Sequence, residues 1–195
     1  MNQTTRNIIY IILGVLMIIA FIYLGKKDYS TSGNHEKDNL VMARNYKSLE
    51  KDNIYRILNS DELMKLLDNG SGIILFCFKE APWCEEYAKI LNRTANLFGI
   101  KTIYYYDILK DREDKSYYYE QIINKGKDYL NQNDLGKSVL SVPDIFILKN
   151  GVLIGHNNDT SSIIGTIEPK DYWTIEKIVD LEIKLQDLID KYLFE

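Results

Sequence analysis

The chain has 195 residues, enough for one compact domain with accessory segments and too few for two full domains. Its 24 basic and 28 acidic residues give a formal charge of −4 with no basic tract, which argues against nucleic-acid binding, since that needs clustered Lys and Arg. The two cysteines, Cys77 and Cys84, and the two histidines, His35 and His156, form no cluster with metal-ligand spacing, so neither metal nor cofactor is expected.

Residues 8–24, IIYIILGVLMIIAFIYL, are apolar and uncharged. As a helix they span roughly 25 Å, near the lower limit for crossing a bilayer core. Tyr10 and Tyr23 lie near the two ends, where interfacial aromatics belong. The alternative is a cleaved secretory signal peptide. The run exceeds the usual apolar region of about 7–15 residues and no A-x-A-like cleavage site follows, which favours an uncleaved anchor within residues 1–27. Arg6 precedes the segment and Lys26 and Lys27 follow it, so the positive-inside count does not decide orientation. A short tail before a large C-terminal domain fits a signal anchor, with that domain outside the cytoplasm at the cell membrane.

Residues 28–52 begin DYSTSGNHEKDN and read as a polar tether ending in a short helix around 40–50. The globular domain is expected over 53–195. Residues 54–58 form a short strand candidate, and Ser60 is placed to cap the helix DELMKLLDN before Gly70. IILFCF (73–78) is a continuous apolar run, the pattern of a strand buried on both faces. From Cys84 a helix fits, because Tyr87, Leu91, Ala95 and Phe98 recur at helical spacing, and Gly99 ends it. KTIYYYDI (101–108) reads as a strand parallel to 73–78, and a further helix is expected around 114–131. VPDIFILKNGVLIGH then gives two strands around an Asn150–Gly151 turn. In the last helix Ile175, Ile178, Leu181, Leu185, Leu188 and Tyr192 make one apolar face, expected to lie on the sheet.

APWCEEY (81–87) and SVPDIFILKNG (141–151), in this order of strands and helices, resemble the thioredoxin-like superfamily. The resemblance covers residues 54–195 apart from the longer stretch 110–140. It implies an α/β domain with a mixed central sheet flanked by helices, and a cis peptide bond before Pro143. The anchor combined with a degenerate cysteine pair is also loosely similar to the accessory proteins of bacteriocin transport in Gram-positive bacteria.

A dithiol oxidoreductase attacks a substrate disulfide with one thiol and resolves the mixed disulfide with a second. Cys84 stands at the first position that the resemblance implies and Tyr87 at the second, so C-x-x-C cycling is excluded. Cys84 at a helix start gains thiolate character from the helix dipole, while Glu85 and Glu86 oppose it. The family's buried acid has no counterpart at Phe76, Cys77 or Phe78. Cys77 reads as a buried, inert strand cysteine; its distance from Cys84 is open, and a bridge needs Cα atoms within about 7 Å. The resemblance implies a partly exposed Trp83 beside the cysteine, with Val142 offering its backbone to an extended chain. The tyrosines at 104–106 and 117–119 suggest an aromatic surface, most of which alternating strand and helix packing explains without a ligand. Two functions remain. One is a binding module that holds a peptide or secreted protein at Trp83, Cys84, Tyr87, Val142 and Pro143. The other is a monothiol exchange enzyme with Cys84 as nucleophile.

Overall fold

The structure, a computed structural model, describes residues 35–194, so the expected membrane segment and the first part of the expected tether lie outside the described residues. Among the described residues no helix is long and apolar enough to cross a membrane. The chain forms a mixed α/β domain. Five strands make one mixed sheet: β1 (Tyr55–Ile57), β2 (Gly72–Cys77), β3 (Ile103–Asp107), β4 (Asp144–Lys149) and β5 (Val152–Asn157). The order is β1-β3-β2-β4-β5. β3 runs parallel to both β1 and β2, and β4 runs antiparallel to both β2 and β5. β2 is the middle strand and is buried along its whole length, as its unbroken apolar run requires.

The packed part of the domain begins earlier than residue 53. Helix α1 (His35–Asn45) and the turns after it bury Met42, Tyr46 and Leu49, so the second half of the expected tether belongs to the core. Helix α2 (Ser60–Asn69) is capped by Asn59 rather than Ser60. The Asn59 side chain accepts from the Glu62 N–H at 2.9 Å, and the Glu62 carboxylate accepts from the Asn59 N–H at 3.0 Å, a reciprocal capping box. Ser60 instead hydrogen-bonds the Tyr106 hydroxyl.

Helix α3 (Pro82–Leu97) connects β2 to β3. Pro82 occupies the first turn, where its missing N–H costs nothing, so the helix starts before Cys84. Tyr87, Leu91 and Ala95 are buried, and Phe98 packs at the edge. Each fully buried large side chain contributes roughly 1.5–3 kcal/mol of transfer free energy. The helix expected around 114–131 is the shorter α5 (Tyr117–Gly126), and a separate, unexpected helix, α4 (Leu109–Asp114), precedes it. Lys115 between them takes a left-handed conformation, φ 48°, and Ser116 caps α5 through the Tyr119 N–H.

The hairpin turn has φ 51° at Asn150 and 74° at Gly151, the primed geometry that Asn-Gly favours. Between β5 and the last helix lie a 3-10 turn (Asp159–Ser162) and α6 (Pro169–Tyr172). Helix α7 (Ile175–Phe194) buries Leu181, Leu185 and Ile189, with Ile178, Leu188 and Tyr192 at the margin. Ile175, expected on this face, is 83% exposed; the helix only meets the sheet after its first turn.

Alternation along the strands sorts the two faces of the sheet. Gly155 in β5 lies under Leu188 of α7 and pairs in register with Ile147. Ile145 and Ile147 are thus on the α7 side, with their register partners Leu75 and Ile73, and hence Cys77. The other face carries Ile74, Phe76, Phe146, Asp144 and His156, where the Phe76 and Phe146 rings meet edge to face at 5.0 Å and α5 approaches through Gly126.

Candidate functional site

The site lies where β2 ends and α3 begins. A tight turn joins them: the Ala81 N–H donates to Phe78 O, and the Cys84 N–H donates to Ala81 O, both at 3.0 Å. This turn folds the first turn of α3 back over the strand end and brings the Cα atoms of Cys77 and Cys84 to 6.1 Å, with a disulfide between them. Cys77 is therefore bonded, not an inert strand thiol, and neither cysteine is free. Both are fully buried.

The Val142–Pro143 bond is cis. Phe76 pairs with Asp144, so one further step of the antiparallel register sets Pro143 across from Cys77. The ladder stops there because proline has no N–H to give. Val142 and Pro143 are buried.

Trp83 is only 4% exposed. Its ring lies 5.3 Å from that of Tyr172 and 6.3 Å from that of Trp173, which are 5.0 Å apart from each other. The expected partly exposed tryptophan is thus covered by the segment before α7. Tyr87 is fully buried and donates its hydroxyl to Asn157 Oδ1 at 2.8 Å. Burial pushes its phenol pKa up, and the charges of Asp144 and Asp159 push the same way. Tyr87 therefore braces α3 against the end of β5. No protein-family model matches the chain, and no curated protein matches it.

Two further groups at this end of the sheet carry chemistry. Asp144 follows Pro143 and is wholly buried; His156 Nε2 lies 3.0 Å from its Oδ1, though without the alignment of a good hydrogen bond. Burial raises the Asp144 carboxyl to about 7, with His156 and then Asn158 opposing. The sequence held one signal for this pair, an acid wedged between a proline and the apolar run IFIL. His156 gave none, because only the hairpin register brings it across the sheet.

The acidic residues after Cys84 are engaged elsewhere. Glu85 Oε1 accepts from the Ser48 N–H at 2.6 Å and its carbonyl from the Ser48 hydroxyl at 2.8 Å, which pins the segment after α1 to α3. Glu86 pairs with Lys89 at 2.8 Å. Of the tyrosine clusters, Tyr105 is buried and shares a 3.0 Å hydrogen bond with Tyr46, while Tyr106 bonds Ser60 and Asp111. Among the described residues no group of three or more His, Cys, Asp or Glu side chains could hold a metal ion. The arrangement offers a closed disulfide beside the covered Trp83 and a proline opposite Cys77, with a buried acid–imidazole pair on the other face of the sheet.

Proposed function

We propose that this chain is a membrane-anchored, extracytoplasmic protein of thioredoxin-like fold that binds an extended peptide or secreted protein beside α3 and Pro143. The observation that carries this reading is the Cys77–Cys84 disulfide. A monothiol enzyme needs the Cys84 sulfur free and approachable, whereas here it is bonded to its neighbour and buried. Binding needs no sulfur. On this reading the partner pairs as an added strand with the backbone at Ser141 and Val142, half-buried and buried in the structure, whatever the state of the cysteines. The order of the strands, their parallel and antiparallel halves and the cis proline are compatible with the thioredoxin-like reading. A disulfide persists in oxidising compartments and is rare in the cytosol, which supports an extracytoplasmic domain behind the apolar N-terminal segment.

The test is a peptide-library screen of the full chain in non-ionic detergent. Binders should be retained by the Cys77→Ser, Cys84→Ser double variant and lost in Ser141→Arg, which crowds the half-buried position next to Val142. Retention in Ser141→Arg, or a mixed disulfide between Cys84 and a peptide thiol, would refute the reading.

A further inference from the structure

Trp83 is covered in part by the segment that follows β5. Residues 158–174 leave β5, pass through the 3-10 turn and α6, and return to the first turn of α3, where Tyr172 and Trp173 meet Trp83. Cys84 is the next residue after Trp83, so the aromatic contact is made one residue from the disulfide, on the first turn of α3.

This segment is held from outside by contacts that water competes with. Asp159 pairs with Lys184 and the Ser161 hydroxyl accepts from Asn131 Nδ2 at 2.6 Å, all in exposed settings. Ile164 and Ile167 are exposed and joined by one isolated bridge. Closure also leaves polar groups of the segment, among them Thr160 Oγ1 and Trp173 Nε1, buried with no hydrogen-bond partner, a cost that hydration removes when the segment lifts. Within the segment Thr160 is buried and Trp173 packs against the core, while the five-stranded sheet is built from residues outside it.

We propose that residues 158–174 form a strap that closes the partner site, and that Tyr172 and Trp173 occupy on Trp83 the place taken by an aromatic side chain of an extended partner. The inference rests on the binding reading above and adds its regulation and the chemistry of the ligand: an extended segment with an aromatic residue, admitted only when the strap opens. Offset and edge-to-face ring contacts of the kind now made within the chain are what such a side chain would reproduce.

Reduction of Cys77–Cys84 by tris(2-carboxyethyl)phosphine, followed by mass-tagging of the released thiols, reads strap opening without any partner. In the full chain in non-ionic detergent, the Tyr172→Ala, Trp173→Ala variant should be reduced at least about tenfold faster than wild type, with far-UV circular dichroism unchanged. A synthetic peptide of residues 168–175, EPKDYWTI, should restore protection, and the same peptide with both aromatics replaced by Ala should not. Equal reduction rates in variant and wild type overturn the proposal, as does a failure of EPKDYWTI to protect. If the double variant does not fold, wild type decides. Strap opening gives a reduction rate nearly flat in low urea, whereas a rate rising steeply with urea means that only global unfolding exposes the sulfurs and the strap is no gate. Loss of binders in Ser141→Arg is scored separately, so either proposal can fail alone.

Discussion

Replacing Asp144 by Asn keeps the shape of the side chain and removes its titration. In the folded chain burial lifts this carboxyl from the ordinary 3.8 to about 7, although His156 and Asn158 partly offset the shift. An acid whose folded pKa is raised holds its proton more tightly in the folded state. The stability it contributes is fully present below its unfolded pKa and is lost as pH rises through about 7. About three pH units separate the two values, and at about 1.4 kcal/mol per unit the loss is on the order of 4 kcal/mol. The groups around it are His156 from β5, Asn158 beyond it and the Tyr87 phenol from α3, with Asp159 acting on Tyr87. Urea unfolding of the full chain in non-ionic detergent, run from pH 4 to pH 8, measures the effect. Asp144→Asn should match wild type near pH 4 and gain on it by an amount on the order of 4 kcal/mol by pH 8. Asp107 is also raised by burial, but it is common to both chains and drops out of the difference. Parallel stability curves across this range would mean that Asp144 ionises like a solvated carboxylate, and the buried acid–imidazole pair would have to be abandoned.

Cys84→Ser opens a loop closed across a sequence separation of 7. The loop-entropy estimate is about 2–3 kcal/mol, or roughly 5–10 °C in the thermal midpoint of a domain of this size. An unchanged midpoint would mean that the bridge does not form. In Gly151→Ala the new Cβ would sit 2.0 Å from the Asp68 carbonyl oxygen at a φ of 74°, so a loss above about 2 kcal/mol is expected in urea titration. Tyr87→Phe strands the buried Asn157 amide oxygen and should cost about 1–3 kcal/mol in the same assay.

The central strand and the hairpin were legible because each relies on a local signal: the unbroken run of β2, the apolar run of β4 and the Asn-Gly turn after it. Helix bounds were less so. Asn59 and Ser60 are both good caps, and only the reciprocal bond with Glu62 selects the first. The break at Lys115 is a left-handed backbone at a residue that does not announce one. The site divides in the same way. The cysteine at the start of α3 and Pro143 were found from short motifs. The Cys77–Cys84 bridge, the Asp144–His156 pair and the Trp83–Tyr172–Trp173 cluster each join residues that only the turn, the hairpin register or the returning segment brings together.

Tyr87 and Cys77 act on the same stretch of α3. At position 87 a second thiol would draw Cys84 along the helix. Tyr87 instead points into the core and bonds Asn157, fixing that turn of α3 to the end of β5. Cys84, with no partner along the helix, is tied back to Cys77 on β2. The start of α3 is thus held to the sheet at two points, by a covalent bond and by a buried hydrogen bond. Rigidity of that kind is of little use to exchange chemistry, which must break the disulfide in every cycle. On the binding function proposed above, the same rigidity would hold one shape for a bound chain, because pre-organisation lowers the ordering cost of binding.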